Sequence, residues 1–238
     1  MADDVERRPM QGGWATQFIS GEAQVELTPL RLEKRRLAAA TRQVIEALVS
    51  GDLAQDQVAA AADELEALAA RLRAVPPARY VGFAEAANSP SVGGFFDHSP
   101  VLGEANPLAP PIRLEFSAEQ IVGRAVFGAA YEGPPGHVHG GWIAAAFDEV
   151  LGAAQSISGS GGMTAYLHID YRSPTPLHEE LRFEGELDRV EGRKIFTRGR
   201  LFHGERLTAE AEGLFITVDF SRFAELRRPR DEDVQAEG

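Results

Sequence analysis

The sequence predicts an α+β fold in which an antiparallel sheet curves round one long central helix, with a helical hairpin placed ahead of it. Three observations carry this. Residues 140–156 make one mostly apolar helical run. From Ile112 onward the hydrophobic pattern around that run is that of strands. The strands after residue 160 follow one another across short turns, which sets neighbours antiparallel. The 238 residues, 44% apolar and 25% charged, suit one ordinary domain with an appendage.

Residues 1–27 are poorly periodic, with a turn at Gly12-Gly13 and an apolar cluster of Trp14, Phe18 and Ile19, so their order is expected to depend on docking. Thr28 as N-cap and Pro29 at the first helical position open a helix that Gly51 stops. Its stripe is Leu30, Leu37, Thr41, Val44 and Leu48. A second helix, from Gln55 to Ala74, carries Val58, Ala62, Leu65, Leu68 and Leu72 and ends at Pro76-Pro77. The hairpin at 28–75 is expected to pack stripe on stripe, with its charged faces in water. Residues 76–111 are rich in Pro, Gly, Ser and Asn and read as an irregular connector laid on the surface, carrying Phe95 and Phe96 toward the site. The main domain is placed at 112–221 and a charged, fraying tail at 222–238.

Within 112–221, IRLEFS and Gln120–Ala130 are strands, 131–139 is a Gly/Pro loop, and 140–156 is the helix. Trp142, Ile143, Ala146, Phe147, Val150, Leu151 and Ala154 place apolar groups on nearly every face of that helix, the signature of burial. Four strands follow, near 163–173, 180–190, 193–203 and 206–219, with turns at Glu191-Gly192 and His203-Gly204-Glu205.

Composition excludes several classes of function. A net charge of −12 repels phosphate backbones, so nucleic acid is not an expected partner. The absence of cysteine excludes disulfides, thiolate zinc sites and thiol nucleophiles. No apolar signal core and no run of membrane-spanning length is present, so a soluble, cytoplasmic protein is expected.

The chemistry concentrates in YEGPPGHVHGGWIAAAFDEVLGAA, residues 131–154. Gly140 and Gly141 start the helix, where free N–H groups and a partial positive charge can hold an oxyanion, or where small residues merely permit close packing. Asp148 lies two turns after Gly141 on the same face, in an otherwise apolar stretch. It is a catalytic carboxylate, a structural hydrogen-bond partner, or a helix edge facing water; the first reading is preferred. Glu149, rotated by about 100°, reads as a solvated or bridging charge. Thr164 opens the next strand, where it can orient a carboxylate or serve packing alone. His137 and His139 alternate as HVH, but no cluster of metal-ligand spacing accompanies them, so no metal or cofactor is expected. His139 reads as a substrate contact or a helix cap.

The motif HGG followed by Asp148 resembles the hotdog-fold, PaaI-like acyl-CoA thioesterases. The fuller EGPPGHVHGGWIAAAFDE looks closest to the Them group. The resemblance extends over about 107–220, from NPLAPP to YRSPTP at Tyr171–Pro176 and beyond. It implies a hotdog fold, hydrolysis of an acyl-CoA, and sites at the interface of a homodimer or a dimer of dimers. It implies that the Gly141 N–H polarises the thioester carbonyl, that Asp148 is general base or nucleophile, and that Thr164 supports the attacking group. Some relatives carry Asn six residues before HGG; here that position is Gly133. CoA, itself polyanionic, requires a local basic patch, for which Arg172, Arg193 and Lys194 are candidates beside Gly140 and His137. Each of the three is equally an ordinary strand-end charge. A non-catalytic acyl-CoA-binding module is the main alternative. A hotdog dehydratase is disfavoured because its His-containing motif is missing. The hairpin lies outside the resemblance, and it is expected to shape the acyl pocket or shield the dimer rather than supply catalytic groups.

Overall fold

In the computed structural model, residues 27–75 and 97–217 are described. Helix α1 spans Pro29–Ser50 and helix α2 spans Gln55–Arg73. The Thr28 hydroxyl accepts the Arg31 N–H at 3.3 Å, as its N-cap position requires. The two helices do not close on their apolar stripes. Leu30, Leu37, Val44, Leu48, Val58, Leu65 and Leu72 are all exposed.

Instead, α1 turns its polar stripe inward. Arg31, Arg35, Ala38, Arg42 and Glu46 follow one another at spacings of three and four, so they share a face. Arg31 and Arg35 clamp the Asp97 carboxylate at 2.7 and 2.6 Å. Arg42 donates to the carbonyls of Asn106 and Glu104 at 2.9 and 3.3 Å. The Glu46 carboxylate accepts the Ala129 N–H at 2.9 Å, and Ala38 is buried between them. The charged face expected in water is therefore the docking face. The reason is that residues 97–106 and 128–129 offer backbone groups without a ladder partner, and guanidinium and carboxylate groups satisfy them.

Six antiparallel strands follow: β1 Arg113–Phe116, β2 Gln120–Val126, β3 Gly162–Tyr171, β4 Glu180–Glu191, β5 Lys194–His203 and β6 Arg206–Thr217. Their spatial order is β1-β2-β4-β5-β6-β3. Strand β2 is shorter than the expected Gln120–Ala130, because a 3₁₀ turn at Ala129–Tyr131, capped by Glu46, ends it. The sheet curls round helix α3, Gly140–Gln155, so that β2 to β6 all reach it. Ile143, Phe147, Val150 and Leu151 are buried against Phe183, Ile195, Leu201 and Phe215. Each such side chain contributes about 1.5–3 kcal/mol through burial. This is the hotdog plan.

Helix and sheet approach closely because Gly185 and Gly199 face each other across β4 and β5, directly beneath α3. A Cβ at Gly185 would stand 2.9 Å from Val150 Cγ1 and 3.2 Å from its carbonyl oxygen. Gly185→Val is expected to destabilise the protein by about 1–3 kcal/mol through overpacking, read as a lowered melting midpoint. An unchanged midpoint would show that the helix can lift without cost.

Two faces stay open. Gly141 and Asp148 on α3 are exposed, so the helix is not buried all round as its composition suggests. Strand β3 ends the sheet, with Met163, Tyr166 and Tyr171 each about half exposed. No helix among the described residues is long and apolar enough to cross a membrane. Trp14, Phe18, Ile19, Phe95, Phe96 and the tail from Arg222 lie outside the described residues.

Candidate functional site

The loop before α3 is tied down from both sides. Gly133 N–H donates to the His137 carbonyl at 2.9 Å, and Gly136 N–H to the Glu132 carboxylate at 2.6 Å. Val138 N–H reaches Thr175 O at 2.9 Å and Leu177 N–H reaches Gly136 O at 3.1 Å, so YRSPTP buttresses EGPPG. Tyr131 packs edge-on against Trp142, and its hydroxyl donates to Leu108 O at 3.1 Å. Burial pushes that hydroxyl up to about 12, which keeps it a donor. A Cβ at Gly133 would lie 2.7 Å from His139 Cα, so the Asn found there in some relatives has no room here.

His139 is the N-cap of α3. Its Nδ1 accepts the Gly141 N–H at 3.0 Å. The amide that the resemblance assigns to a substrate carbonyl is thus held by the adjoining, exposed imidazole. The Gly140 N–H has no acceptor among the described residues, while the Gly140 carbonyl accepts the Tyr171 hydroxyl at 2.8 Å. Burial raises the Tyr171 phenol above its ordinary value, so it too remains a donor. Sequence reasoning missed Tyr171 as a group at the helix start; its place at the head of YRSPTP was the available signal. His137 Nδ1 lies 2.8 Å from Pro135 O, within the loop and away from Asp148.

Two turns along α3, Asp148 Oδ1 accepts the Thr164 hydroxyl at 2.7 Å. Both residues are exposed, so Asp148 is a carboxylate on an open face and not a buried one. A β-bulge between Thr164 and Tyr166 makes this contact possible. It lets Thr164 face the helix together with Leu167, Ile169 and Tyr171, which otherwise would stand on the opposite face. Oδ2 of Asp148 has no partner among the described residues. Glu149 accepts the Ser99 hydroxyl at 3.0 Å. Burial pushes its carboxyl above the ordinary value, the Ser99 hydroxyl pulls it down, and Asp148 pushes it up.

The basic candidates are not brought together. Arg172 is paired with Glu210 at 2.8 Å and Asp170 at 3.2 Å on the outer sheet face, at the Tyr171 end of β3. Arg193 donates to Thr217 O, and Lys194 opens β5 at the Thr164 end. Lys194 pairs with Ile216, which pairs with Met163, so these three face away from α3. Two clefts, one between Glu184, Arg198 and Glu212 and one between Arg35, Glu104 and Arg113, are lined by ions that already pair. Neither contains Asp148. Among the described residues no three His, Cys, Asp or Glu side chains converge to hold a metal ion.

A family model described as the thioesterase superfamily matches residues 135–210. Over 93 residues the chain is 41% identical to acyl-coenzyme A thioesterase THEM4 of Xenopus laevis, covering 38% of this chain and 42% of that relative. Against acyl-coenzyme A thioesterase THEM5 of Homo sapiens the identity is 31% over 93 residues, covering 38% of each. The matches thus span about two fifths of these curated relatives. A crystal structure of a thioesterase superfamily protein, 38% identical, superposes with a TM-score of 0.69 and covers 77% of this chain and 94% of that one. The chain belongs to the thioesterase superfamily.

Proposed function

We propose that the protein hydrolyses an acyl-CoA thioester to a free carboxylic acid and CoA. The observation that carries this reading is the Thr164–Asp148 hydrogen bond on the open face of α3. Thr164 fixes one carboxylate oxygen and leaves the other for chemistry. Asp148 takes a proton from water as the resulting hydroxide attacks the carbonyl carbon. The oxyanion is held at the start of a helix, by the Gly141 N–H once the exposed His139 ring yields it, with the Gly140 N–H beside it. Collapse breaks the C–S bond, and the proton on Asp148 returns to the CoA thiolate. Attack by Asp148 itself, giving an anhydride that water then opens, balances equally well. Lys194 and Arg193 are the candidates for the CoA phosphates, because ion pairs already neutralise Arg172. The relatives named as acyl-coenzyme A thioesterases support the substrate class.

The same reading makes the protein a homodimer or a dimer of dimers. The edge of β3 offers backbone groups unpaired among the described residues, and the exposed face of α3 lies beside it. A second copy adding its own β3 covers both. Sedimentation is expected to show an even-numbered oligomer at assay concentration, and an active monomer would refute this.

A thiol-trapping dye with a panel of acyl-CoAs tests the activity directly. Release of CoA is the expected result. Tight binding without thiol release would instead make the protein an acyl-CoA-binding module.

A further inference from the structure

A buried connection leads from α1 to the residue next to Asp148. Asp97, 4% exposed, is held by Arg31 and Arg35. Two residues on, the Ser99 hydroxyl accepts the N–H groups of Val101 and Leu102 at 3.1 and 3.0 Å and donates to Glu149 Oε1 at 3.0 Å. The turn cannot shift freely, since Gly103 N–H bonds Ser99 O and Ala105 N–H bonds Asp97 O, each at 3.0 Å. Val101 and Leu102 are themselves in the core that packs on α3. The hydroxyl of Ser99 is therefore fully used, and its one outgoing bond ends on the carboxylate adjacent to Asp148.

We propose that Ser99 and Glu149 are positioning residues for Asp148, with the Arg31–Asp97–Arg35 clamp fixing the turn that presents Ser99 to α3. The inference rests on the reading of Asp148 as the working carboxylate. It gives α1 a part in turnover without contact with substrate. Residues 148 and 149 share a backbone, so a helix turn that loses its tie at Glu149 loses its register against Thr164. Catalysis is sensitive to such shifts, because a misplacement of about 1 Å can cost a hundredfold in rate. Glu149 acts here as an acceptor, so Glu149→Gln, which keeps Oε1, retains the tie, and Glu149→Ala does not.

The test uses the full chain. Ser99→Ala and Glu149→Ala are each expected to lower kcat about tenfold, the scale of one hydrogen bond's worth of free energy. KM should stay within about twofold, and the double variant should be no worse than either single one, as expected for a coupled pair. Glu149→Gln should be near wild type. Amide exchange over residues 145–152 should quicken in both Ala variants, a readout that needs no substrate. Ser99→Ala with kcat within twofold of wild type and unchanged exchange overturns the proposal, and so does a Glu149→Gln loss as large as that of Glu149→Ala. If Ser99→Ala does not fold, the Glu149 pair of variants decides alone. Asp148→Asn separates the two ideas. Full activity there defeats the assignment of the base. Loss there with normal turnover in Ser99→Ala and Glu149→Ala defeats only the positioning role.

Discussion

Asp148→Asn is expected to lower acyl-CoA turnover at least about a hundredfold, the usual scale of a lost acid–base group. The substitution keeps the side chain's shape, and the amide oxygen can still accept the Thr164 hydroxyl that Oδ1 accepts at 2.7 Å. What it removes is the basic oxygen that takes the proton from water, or that attacks the carbonyl. The loss should therefore fall on kcat. A non-hydrolysable acyl-CoA analogue should bind as it does to wild type, because Asn keeps the side chain's volume and its contact with Thr164. If turnover stays near normal while the fold is intact, neither proposed route survives.

The architecture was legible because its signals are local. Thr28 and Pro29 mark a helix start, and Gly192 and Gly204 take the positive φ that their turns need. The apolar run at 140–156 cannot be a surface helix. Its open face was not legible, because an apolar composition does not say which side of the helix its own sheet leaves uncovered. The inward face of α1 is not legible for a different reason. Periodicity reports that a helix has two faces, and the apolar one is ordinarily the buried one. Here arginines at 31, 35 and 42 and Glu46 meet partners far along the chain, at Asp97, Asn106 and Ala129. No spacing rule contains those pairings. The contact between Thr164 and Asp148 depends on one extra residue in β3, the bulge before Tyr166. The residue types pointed to that pair; the parity of an ideal strand would not have placed it. The link from Ser99 to Glu149 is equally non-local; Glu149 by itself reads as a solvated or bridging charge, with no partner named by its position.

Two inactive variants mixed together are expected to recover activity. Gly141 and Asp148 are seven residues apart on α3, about 10 Å along its axis. A thioester carbonyl needs its oxyanion donor about 3 Å away and the attacking water within about 3 Å of the base. One chain does not bring its own Gly141 and Asp148 that close, but in the proposed dimer an antiparallel α3 from a second copy would bring each next to the other's counterpart. Gly141→Pro removes the N–H, and proline is accepted in a first helical turn. It should cost about a hundredfold to a thousandfold in kcat, as loss of an oxyanion donor does. Asp148→Asn should be at least as poor. In a mixed dimer, the Asp148→Asn chain lends its amide and the Gly141→Pro chain lends its carboxylate, which rebuilds one of two sites. Random pairing on co-expression makes half the dimers mixed, so about a quarter of wild-type activity should return. Each variant expressed alone must stay inactive, and both must sediment as wild type does. A co-expressed mixture no more active than the separate variants would mean that donor and base come from the same chain. The helix start or the carboxylate would then have to move by several ångströms to meet, and the shared-site reading would be wrong.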